Sequence, residues 1–335
     1  MDYARLREII PAIDSDASGR RIAVIGAGPA GLSCAGELTR HGHAVTVFEK
    51  RPLPGGLSTY GIIGLREPLD IALEEARMIE SMGVTILSDR ELGVSLDVAE
   101  LRRDFDAIVL STGLGRSPFV GIDGEHSIVD GLDFIEASKT APDRLQIGRN
   151  VLVIGAGNTA VDCATIARRL GADKVTIVYR RSESEMTCYE HEYRFARKEG
   201  IDFRFLSQPS RVVMESGRLV GLECLRVELG APDRSGRPSP TTVAGTEFVL
   251  DADQIIKAVG QLKPPLAELL GLKTASGFIC VDSDFETSST GVYAIGDCIR
   301  LWGAASTVMA VQDGKLAAAA ISRKLLAESA ATEIR

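Results

Sequence analysis

The sequence predicts an α/β protein built around two βαβ units, and three observations support this prediction. An apolar strand pattern, a glycine-rich turn and a helix-length stretch follow one another from Arg21, and the same order returns from Asn150. In both places a second apolar strand closes the unit. The composition, with 34 glycines and only 5% aromatic residues, is typical of tightly packed α/β layers. The 335 residues suffice for two such domains.

The first repeat carries a complete glycine motif for a dinucleotide. Its first glycine permits a tight turn, its second lets a pyrophosphate approach the backbone, and its third lets the helix pack closely on the strand. The closing strand, 44–48, ends in a glutamate, which can accept hydrogen bonds from the hydroxyls of an unphosphorylated ribose. The unit therefore predicts a Rossmann-like site for FAD or NAD. Its candidate residues are Gly26, Gly28, Pro29, Ala30, Gly31, Glu49 and Lys50.

The second repeat differs at the position of that acid. Its turn has the GxGxxA form at Gly155, Gly157 and Ala160, and its closing strand ends in Arg180 and Arg181. A carboxylate would repel a 2′-phosphate, whereas guanidinium groups pair with one bidentately. The arginines therefore favour NADPH over NADH, although a solvated surface pair is the alternative explanation.

A third motif lies near the C-terminus. An apolar strand ends in Gly296 and Asp297, and a long alanine-rich helix opens near Ser306 and Thr307. The aspartate is placed to bind a ribityl hydroxyl, and the helix N-terminus is suited to the electron-rich pyrimidine end of a flavin. This motif assigns FAD to the first repeat and NADPH to the second, which together would make a hydride relay.

The ordered set of motifs resembles the two-dinucleotide-binding flavoproteins of the pyridine nucleotide-disulphide oxidoreductase superfamily, and most closely the glutamate synthase small (beta) subunit group. The resemblance covers residues 20–325, nearly the whole chain. The stretches that carry it are, in order, GAGPAGL from Gly26, PGGLSTYGI from Pro54, Ser111-Thr112-Gly113, GAGNTAVD from Gly155, YRRSESEM from Tyr179, ARKEGIDFRF from Ala196, ELGAPDRSGRPSP from Glu228, GTEFVLDADQIIKAVGQ from Gly245 and GVYAIGDC from Gly291.

The resemblance implies that an NAD(P)H domain is inserted into a split FAD domain. Residues 1–19 would form an N-terminal extension, 20–115 and 255–335 the FAD-binding domain, and 116–254 the NADPH-binding domain. The same resemblance places Gly55, Gly56, Thr112 and Gly113 near the flavin and Asn158 and Thr159 at the NADPH pyrophosphate, while Gly260 marks the return to the first domain. Within the inserted domain we expect a hairpin at 212–224 that turns at Ser216-Gly217, and an exposed loop at 231–245.

The function that follows is an NADPH-dependent FAD oxidoreductase. It would transfer hydride from NADPH to FAD and pass electrons to a separate iron–sulfur or flavin protein. No catalytic side chain is expected, because hydride transfer depends on how the two rings are positioned. Two alternatives stay open: a stand-alone reductase of a quinone or disulfide, and a nucleotide-binding sensor without turnover. Two stretches, Ile63–Arg66 and Met186–Cys188, depart from the group's pattern near the flavin and the nucleotide.

Charge and composition exclude several other classes. A net charge of −8 argues against binding to nucleic acid or to an anionic membrane. No apolar run reaches the roughly 18 residues of a membrane span, and the charged first ten residues lack a signal-peptide core, so we expect a cytoplasmic protein. The six cysteines include no CxxC pair and none precedes the first strand, and the four histidines form no ligand set. We therefore expect neither a metal site nor an iron–sulfur cluster.

Overall fold

The computed structural model describes residues 11–13, 15–233, 236–263, 266–301 and 305–333, with side chains described up to 328. Most of the expected N-terminal extension, residues 1–10 and 14, therefore lies outside the described residues. The described chain divides into two compact units. The first contains the residues up to Thr59, Glu67–Gly115, and those from Lys263 onward, and the second contains Tyr60–Arg66 and Arg116–Leu262.

Sixteen strands are found in the described residues. In chain order they are β1 (Arg21–Ile25), β2 (Ala44–Phe48), β3 (Thr85–Leu87), β4 (Ala107–Leu110), β5 (Val129–Asp130), β6 (Asn150–Ile154), β7 (Lys174–Val178), β8 (Asp202–Arg204), β9 (Ser207–Glu215), β10 (Arg218–Pro232), β11 (Pro238–Thr242), β12 (Phe248–Asp251), β13 (Gln254–Lys257), β14 (Thr274–Ala275), β15 (Phe278–Ile279) and β16 (Val292–Ala294).

Nine α-helices accompany these strands in the described part of the chain. They are α1 (Pro29–Arg40), α2 (Leu57–Tyr60), α3 (Leu69–Ser81), α4 (Val98–Asp104), α5 (Gly131–Thr140), α6 (Asn158–Arg169), α7 (Glu190–Lys198), α8 (Leu266–Leu269) and α9 (Thr307–Glu333). None of these helices has both the length and the hydropathy that crossing a lipid bilayer demands.

The first unit is a parallel sheet in the order β16-β4-β1-β2-β3. Strand β1 is apolar and buried on both faces, as expected for a parallel strand between two layers of helices. Helix α1 begins at Pro29, whose fixed φ suits the first turn of a helix. Helix α9 packs against α1 so closely that a Cβ at Gly314 would lie 2.5 Å from the Ala30 carbonyl oxygen. The long C-terminal helix thus closes one face of this sheet.

The second unit repeats this architecture. Its parallel sheet has the order β5-β13-β6-β7-β8, so β6 and β7 occupy the places that β1 and β2 hold in the first unit. In the first sheet the chain moves outwards from β1 to β3 and then crosses back to β4, and in the second sheet it moves outwards from β6 to β8 and then crosses back to β13. The carboxyl ends of β1 and β4, and of β6 and β13, therefore flank a topological switch point, where α/β sheets bind ligands. The α/β class with two Rossmann-like units is confirmed.

A separate antiparallel sheet of β9 to β12 also lies in the second unit. The expected hairpin is confirmed: β9 and β10 pair around Ser216 and Gly217, both with positive φ. The expectation of a loop at 231–245 is wrong in part. Strand β10 continues to Pro232 and pairs with β11, although the pairing is irregular after Leu229. The two prolines of β11, Pro238 and Pro240, are tolerated because β11 is an edge strand, where a missing N–H breaks no interior ladder.

Candidate nucleotide-binding sites

The glycine turn of the first unit lies between β1 and α1, at the switch point of the sheet. Gly26 has a φ of +106°, and a Cβ there would lie 2.6 Å from the Ser111 carbonyl oxygen. A Cβ at Gly31 would lie 2.0 Å from the Gly26 carbonyl oxygen. Both contacts are too short for any side chain, so the protein's own packing requires these two glycines. Pro29 and Ala30 form the first turn of α1 beside them.

Gly28 is different. Its φ of −75° is ordinary for any residue, and the nearest atom to an added Cβ is the Cα of Gly56 at 3.8 Å. Neither backbone strain nor a steric clash within the chain therefore requires glycine at this position. A glycine that the polypeptide does not need, at the N-terminus of a helix with free N–H groups, fits a phosphate that approaches the backbone closely.

Two other segments meet this turn. The N–H of Gly55 donates to the Ala27 carbonyl oxygen at 2.7 Å, and a Cβ at Gly56 would lie only 2.7 Å from the Cα of Gly28. Glu49, at the end of β2, is 6% exposed and accepts hydrogen bonds from the N–H groups of Ala27 (2.8 Å) and Arg51 (2.9 Å). Its carboxylate keeps lone pairs for a ribose hydroxyl. Lys50, the next residue, is exposed.

Beyond β4 and β16, three polar groups of the first unit have no hydrogen-bond partner among the described residues. The Thr112 hydroxyl and the Nε of Arg300 are buried without a hydrogen bond, and no hydrogen bond from the described residues reaches the Asp297 carboxylate. Burial raises the pKa of Asp297, with Arg300 opposing the shift and Asp313 adding to it. Buried polar groups are normally satisfied. This end of the site therefore fits a ligand rich in hydroxyl and carbonyl groups, as a flavin with its ribityl chain is.

The neighbouring candidate residues hold the local backbone. The Gly296 N–H donates to Asp313 Oδ2 at 3.2 Å, and Asp313 also pairs with Arg300. Ser306 Oγ accepts the N–H of Met309 at 3.3 Å and so caps α9, whose first residue is Thr307. Gly113 has a φ of +61°, which favours glycine, and no atom lies within 4 Å of an added Cβ.

In the second unit the glycine turn lies between β6 and α6. Gly155 has a φ of +127°, and a Cβ there would lie 2.2 Å from the Ala258 carbonyl oxygen. Gly157 has an ordinary φ of −90° and would meet only the Thr187 hydroxyl, at 3.3 Å. Thus in the second turn packing requires Gly155 but constrains Gly157 only weakly, because the Thr187 hydroxyl would have to move by a few tenths of an ångström to admit a Cβ. Ala160 is fully buried where the third glycine would be.

Other predicted residues of this unit have distinct surroundings. The Asn158 side-chain oxygen accepts the N–H of Tyr189 at 3.0 Å, so this side chain holds the 187–189 segment beside the turn. Thr159 is half-buried on α6. Gly260, beyond the end of β13, is exposed with a φ of +99°. The Asn158 side chain is thus engaged with the protein. The groups available to a phosphate are mainly the backbone N–H groups at the start of α6.

The two arginines after β7 are not equivalent. Arg180 is exposed, and no described residue forms a hydrogen bond or ion pair with its guanidinium. Arg181 is 3% exposed, donates from Nε to the Pro238 carbonyl oxygen at 2.9 Å, and pairs with Asp233 at 2.7 Å. Only Arg180 can bind a ligand without breaking contacts that its side chain already makes with described residues.

One buried cluster of the second unit was not predicted. Arg66 pairs with Asp162 on α6 (2.7 Å) and with Glu192 on α7 (2.5 Å), and both carboxylates are less than a tenth exposed. Burial raises the pKa of Asp162 to about 7, with Arg66 opposing the shift and Glu192 adding to it. An acid in the apolar run AVDCA of α6 was the signal available in the sequence. Asp162 and Glu192 lie 96 and 126 residues from Arg66 in the sequence and more than 20 residues from each other. No local sequence pattern could therefore have connected the three.

The cysteine beside Asp297 is unsuited to redox chemistry. Cys298 is fully buried, and burial raises the pKa of its thiol to about 12, so the reactive thiolate is absent near neutral pH.

We expect Cys298→Ala to keep its flavin and to retain electron transfer from NADPH to ferricyanide within about twofold. Turnover and bound flavin measured on the same preparation check this. Cys280→Ala, at an exposed position, is the control. Loss of turnover with full flavin content in Cys298→Ala alone would show a thiol mechanism.

Comparison with known protein families gives one match that spans most of the chain. Residues 20–320 match the model of the pyridine nucleotide-disulphide oxidoreductase family. Among curated proteins, the NADP(+)-dependent formate dehydrogenase subunit beta of Moorella thermoacetica is 40% identical over 315 residues, which are 92% of this chain and 44% of that protein. The glutamate synthase [NADPH] small chain of Escherichia coli is 34% identical over 322 residues, 90% of this chain and 68% of that protein.

The solved structures agree with the fold. Mycobacterium tuberculosis FprA in complex with NADPH superposes with a TM-score of 0.77 at 20% identity, covering 94% of this chain and 86% of FprA. The chain spans only 40–49% of the length of the first curated relatives. The family predicted from the motifs is confirmed.

Proposed function

The chain belongs to the pyridine nucleotide-disulphide oxidoreductase family, and from this premise we propose that it is an NADPH-dependent FAD oxidoreductase that serves a separate electron-accepting protein. FAD binds in the first unit and NADPH in the second. When bound, FAD accepts a hydride from NADPH and releases the electrons to an acceptor. We place the boundaries of the two proposed domains at those of the two units, so that the expected boundary after 254 moves to 262 and Tyr60–Arg66 joins the NADPH-binding domain.

The observation that carries the proposal is a pair of glycines that neither backbone strain nor a backbone clash within the chain requires. Gly28 and Gly157 have ordinary backbone angles, and an added Cβ would meet no atom closer than 3.3 Å. Each begins a helix at the switch point of its sheet, where N–H groups and the helix dipole attract phosphate. A chain with two such turns is built to hold two dinucleotides.

Different residues bind the two nucleotides. In the first unit Glu49 accepts hydrogen bonds from the adenosine ribose, and Asp297 and Thr112 bind the flavin's polar chain and ring edge. In the second unit Arg180 binds the 2′-phosphate, which an acid at this position would repel. The protein's task is to position two rings for transfer, and no side-chain acid or base is assigned to the hydride step.

A protein acceptor is favoured over the two alternatives. The curated relatives include beta subunits of larger enzymes, namely a formate dehydrogenase and a NADPH-Fe(3+) oxidoreductase. The chain has no CxxC pair, and the thiol nearest to Asp297 is buried and protonated, which argues against a disulfide reductase. Two complete nucleotide sites would serve no purpose in a sensor without hydride transfer. We propose an iron–sulfur or flavin enzyme as the acceptor and a cytoplasmic location.

The test is anaerobic reduction of the purified, FAD-loaded protein. We expect NADPH to bleach the visible flavin absorbance rapidly and NADH to do so with a roughly tenfold to hundredfold lower kcat/KM. One charge-assisted contact to the 2′-phosphate is worth about 1.5–3 kcal/mol, which corresponds to such a factor. Stopped-flow absorbance with each nucleotide measures it.

The released cofactor, identified after denaturation, is the accompanying control. Colourless protein that ignores added FAD would contradict the whole proposal. A flavin that NADPH fails to bleach would favour a sensor, and equal efficiency with NADH would contradict the assignment of Arg180. Rapid reduction of a small quinone with a low KM would favour the stand-alone reductase.

A further inference from the structure

The hairpin of β10 and β11 reaches the end of strand β7. Residues 227–232 of β10 pair with 238–242 of β11, beyond the part of β10 that pairs with β9 and β12. The turn is closed by hydrogen bonds from the N–H of Asp233 to Arg237 and from the N–H of Gly236 to Asp233, at 2.8 and 2.9 Å. Asp233 and Pro238, at the two ends of this turn, both contact Arg181. The hairpin is thus attached to the residue after Arg180.

The backbone on either side of Arg180 is held as well. The carbonyl oxygen of Tyr179 accepts the N–H of Ser207, and that of Arg181 accepts the N–H of Leu206, both at 3.1 Å. The Arg180 Cα therefore lies between two residues whose positions are fixed. Tyr179 is held through its backbone, and Arg181 is held through both its backbone and its side chain. Its own guanidinium extends into solvent.

The burial of Arg181 argues against a direct contact with a phosphate. Its side chain is 4% exposed, and the Asp233 carboxylate already neutralises its charge. To reach a nucleotide it would have to break a charge-assisted bond to Asp233 and a bond to the Pro238 carbonyl oxygen. Arg180 can bind the same phosphate without any such loss.

We infer that Arg181 is a positioning residue and that Asp233, at the tip of the hairpin, helps to determine the preference for NADPH. The Arg181–Asp233 pair fixes the backbone that presents Arg180, and Arg180 alone binds the 2′-phosphate. This inference rests on the proposed function, and it corrects the simpler expectation that both arginines contact the phosphate. It also gives the hairpin, which the Rossmann-like sheet does not need, a role in nucleotide selection.

The test compares adenosine 2′,5′-bisphosphate with 5′-AMP, two probes that differ in the 2′-phosphate and that bind without redox chemistry. Calorimetry on FAD-loaded protein measures their dissociation constants in Arg180→Met, Arg181→Met, Asp233→Asn and the Arg181→Met/Asp233→Asn double variant. Steady-state kcat and KM for NADPH and NADH are measured alongside. Glu223→Gln is the matched control, because it breaks an ion pair with Arg211 of 2.7 Å in the same antiparallel sheet.

We expect Arg180→Met to weaken the bisphosphate at least tenfold and 5′-AMP hardly at all. Arg181→Met and Asp233→Asn should each weaken the bisphosphate about threefold to fivefold, raising the KM for NADPH with kcat and the KM for NADH unchanged. The double variant should be no weaker than Arg181→Met, because both changes break one pair. Glu223→Gln should stay within twofold.

Three results would overturn the inference, and they are distinguishable. If Arg181→Met weakens the bisphosphate as much as Arg180→Met while Asp233→Asn has no effect, Arg181 is itself a phosphate ligand. If the two probes bind the unmodified protein equally well, the 2′-phosphate site does not exist and the proposed NADPH preference fails with it. A general fall in kcat in Arg181→Met and Asp233→Asn would also contradict a role confined to the nucleotide.

Discussion

Gly28→Val is expected to give a folded protein that purifies without FAD. The backbone angles at Gly28 suit valine, and the nearest protein atom to an added Cβ lies 3.8 Å away, so a Cβ at this position introduces no strain within the chain. The new side chain fills the space above the N-terminus of α1, through which we propose that the pyrophosphate approaches. The expected loss of bound flavin is therefore nearly complete, and Gly28→Ala should give an intermediate affinity.

The measurement is the ratio of flavin to protein absorbance, before and after incubation with excess FAD. Thermal stability must be compared with FAD-stripped unmodified protein, because a ligand that binds only the native state raises the melting temperature by itself. The matched variant is Gly157→Val, which we expect to stay yellow but to resist reduction by NADPH. If Gly28→Val is as yellow as the unmodified protein, the first turn is not the FAD site.

Gly31→Ala serves as the contrasting case. Its Cβ would overlap the Gly26 carbonyl oxygen at 2.0 Å and the Ser111 hydroxyl at 2.5 Å, so we expect insoluble or poorly folded protein. One motif thus contains glycines of two physical kinds. The sequence motif gives all three the same weight, and only the structure separates those required by packing from the one left for a ligand.

The βαβ unit in each sheet was predictable because its signals are local. A strand, a glycine turn and a helix within about 30 residues define each βαβ unit, and the turn at Ser216-Gly217 defines the first hairpin. The 231–245 segment was predicted wrongly in part because prolines and glycines normally mark loops. Its pairing with the end of β10 depends on a neighbouring strand, which composition does not reveal.

The ionic contacts could not be predicted, because their partners are distant in the sequence. Arg181 and Asp233 are 52 residues apart, and Arg66 and Asp162 are 96 apart. Two adjacent arginines gave a correct signal of positive charge after β7, but not that Asp233 neutralises one of them. Likewise, Tyr60–Arg66 groups with the second unit through contacts that no local pattern encodes.

Arg66→Met is expected to cause the largest loss of stability of the variants that remove an ion pair. Two buried carboxylates, those of Asp162 and Glu192, would lose the guanidinium that both contact. Removing one partner from a buried ion pair typically costs about 3–5 kcal/mol. Since the Arg66 side chain is 39% exposed, we expect the lower end, about 3 kcal/mol at pH 8. Urea unfolding followed by circular dichroism measures this loss.

The loss should depend on pH, and its sign follows from Asp162. The pKa of this carboxyl is raised to about 7 in the folded protein, above the value of about 3.9 for an unfolded aspartate. Between these values the folded state holds a proton that the unfolded state has released, so the free energy of unfolding falls as pH rises. Without Arg66 the folded pKa rises further. The variant should therefore be relatively more stable at pH 6 than at pH 8.

Two variants complete this experiment. Arg149→Met breaks an ion pair with Asp173 whose side chains are 83% and 56% exposed, and we expect it to change stability by less than about 0.5 kcal/mol. Asp162→Asn, added to Arg66→Met, removes the titrating charge and should flatten the pH dependence while restoring part of the stability at pH 8. The loss of unfolding free energy in Arg66→Met could instead be equal at both pH values and unchanged by Asp162→Asn. That result would mean that the packing of the arginine stem, and not its charge, stabilises the second unit.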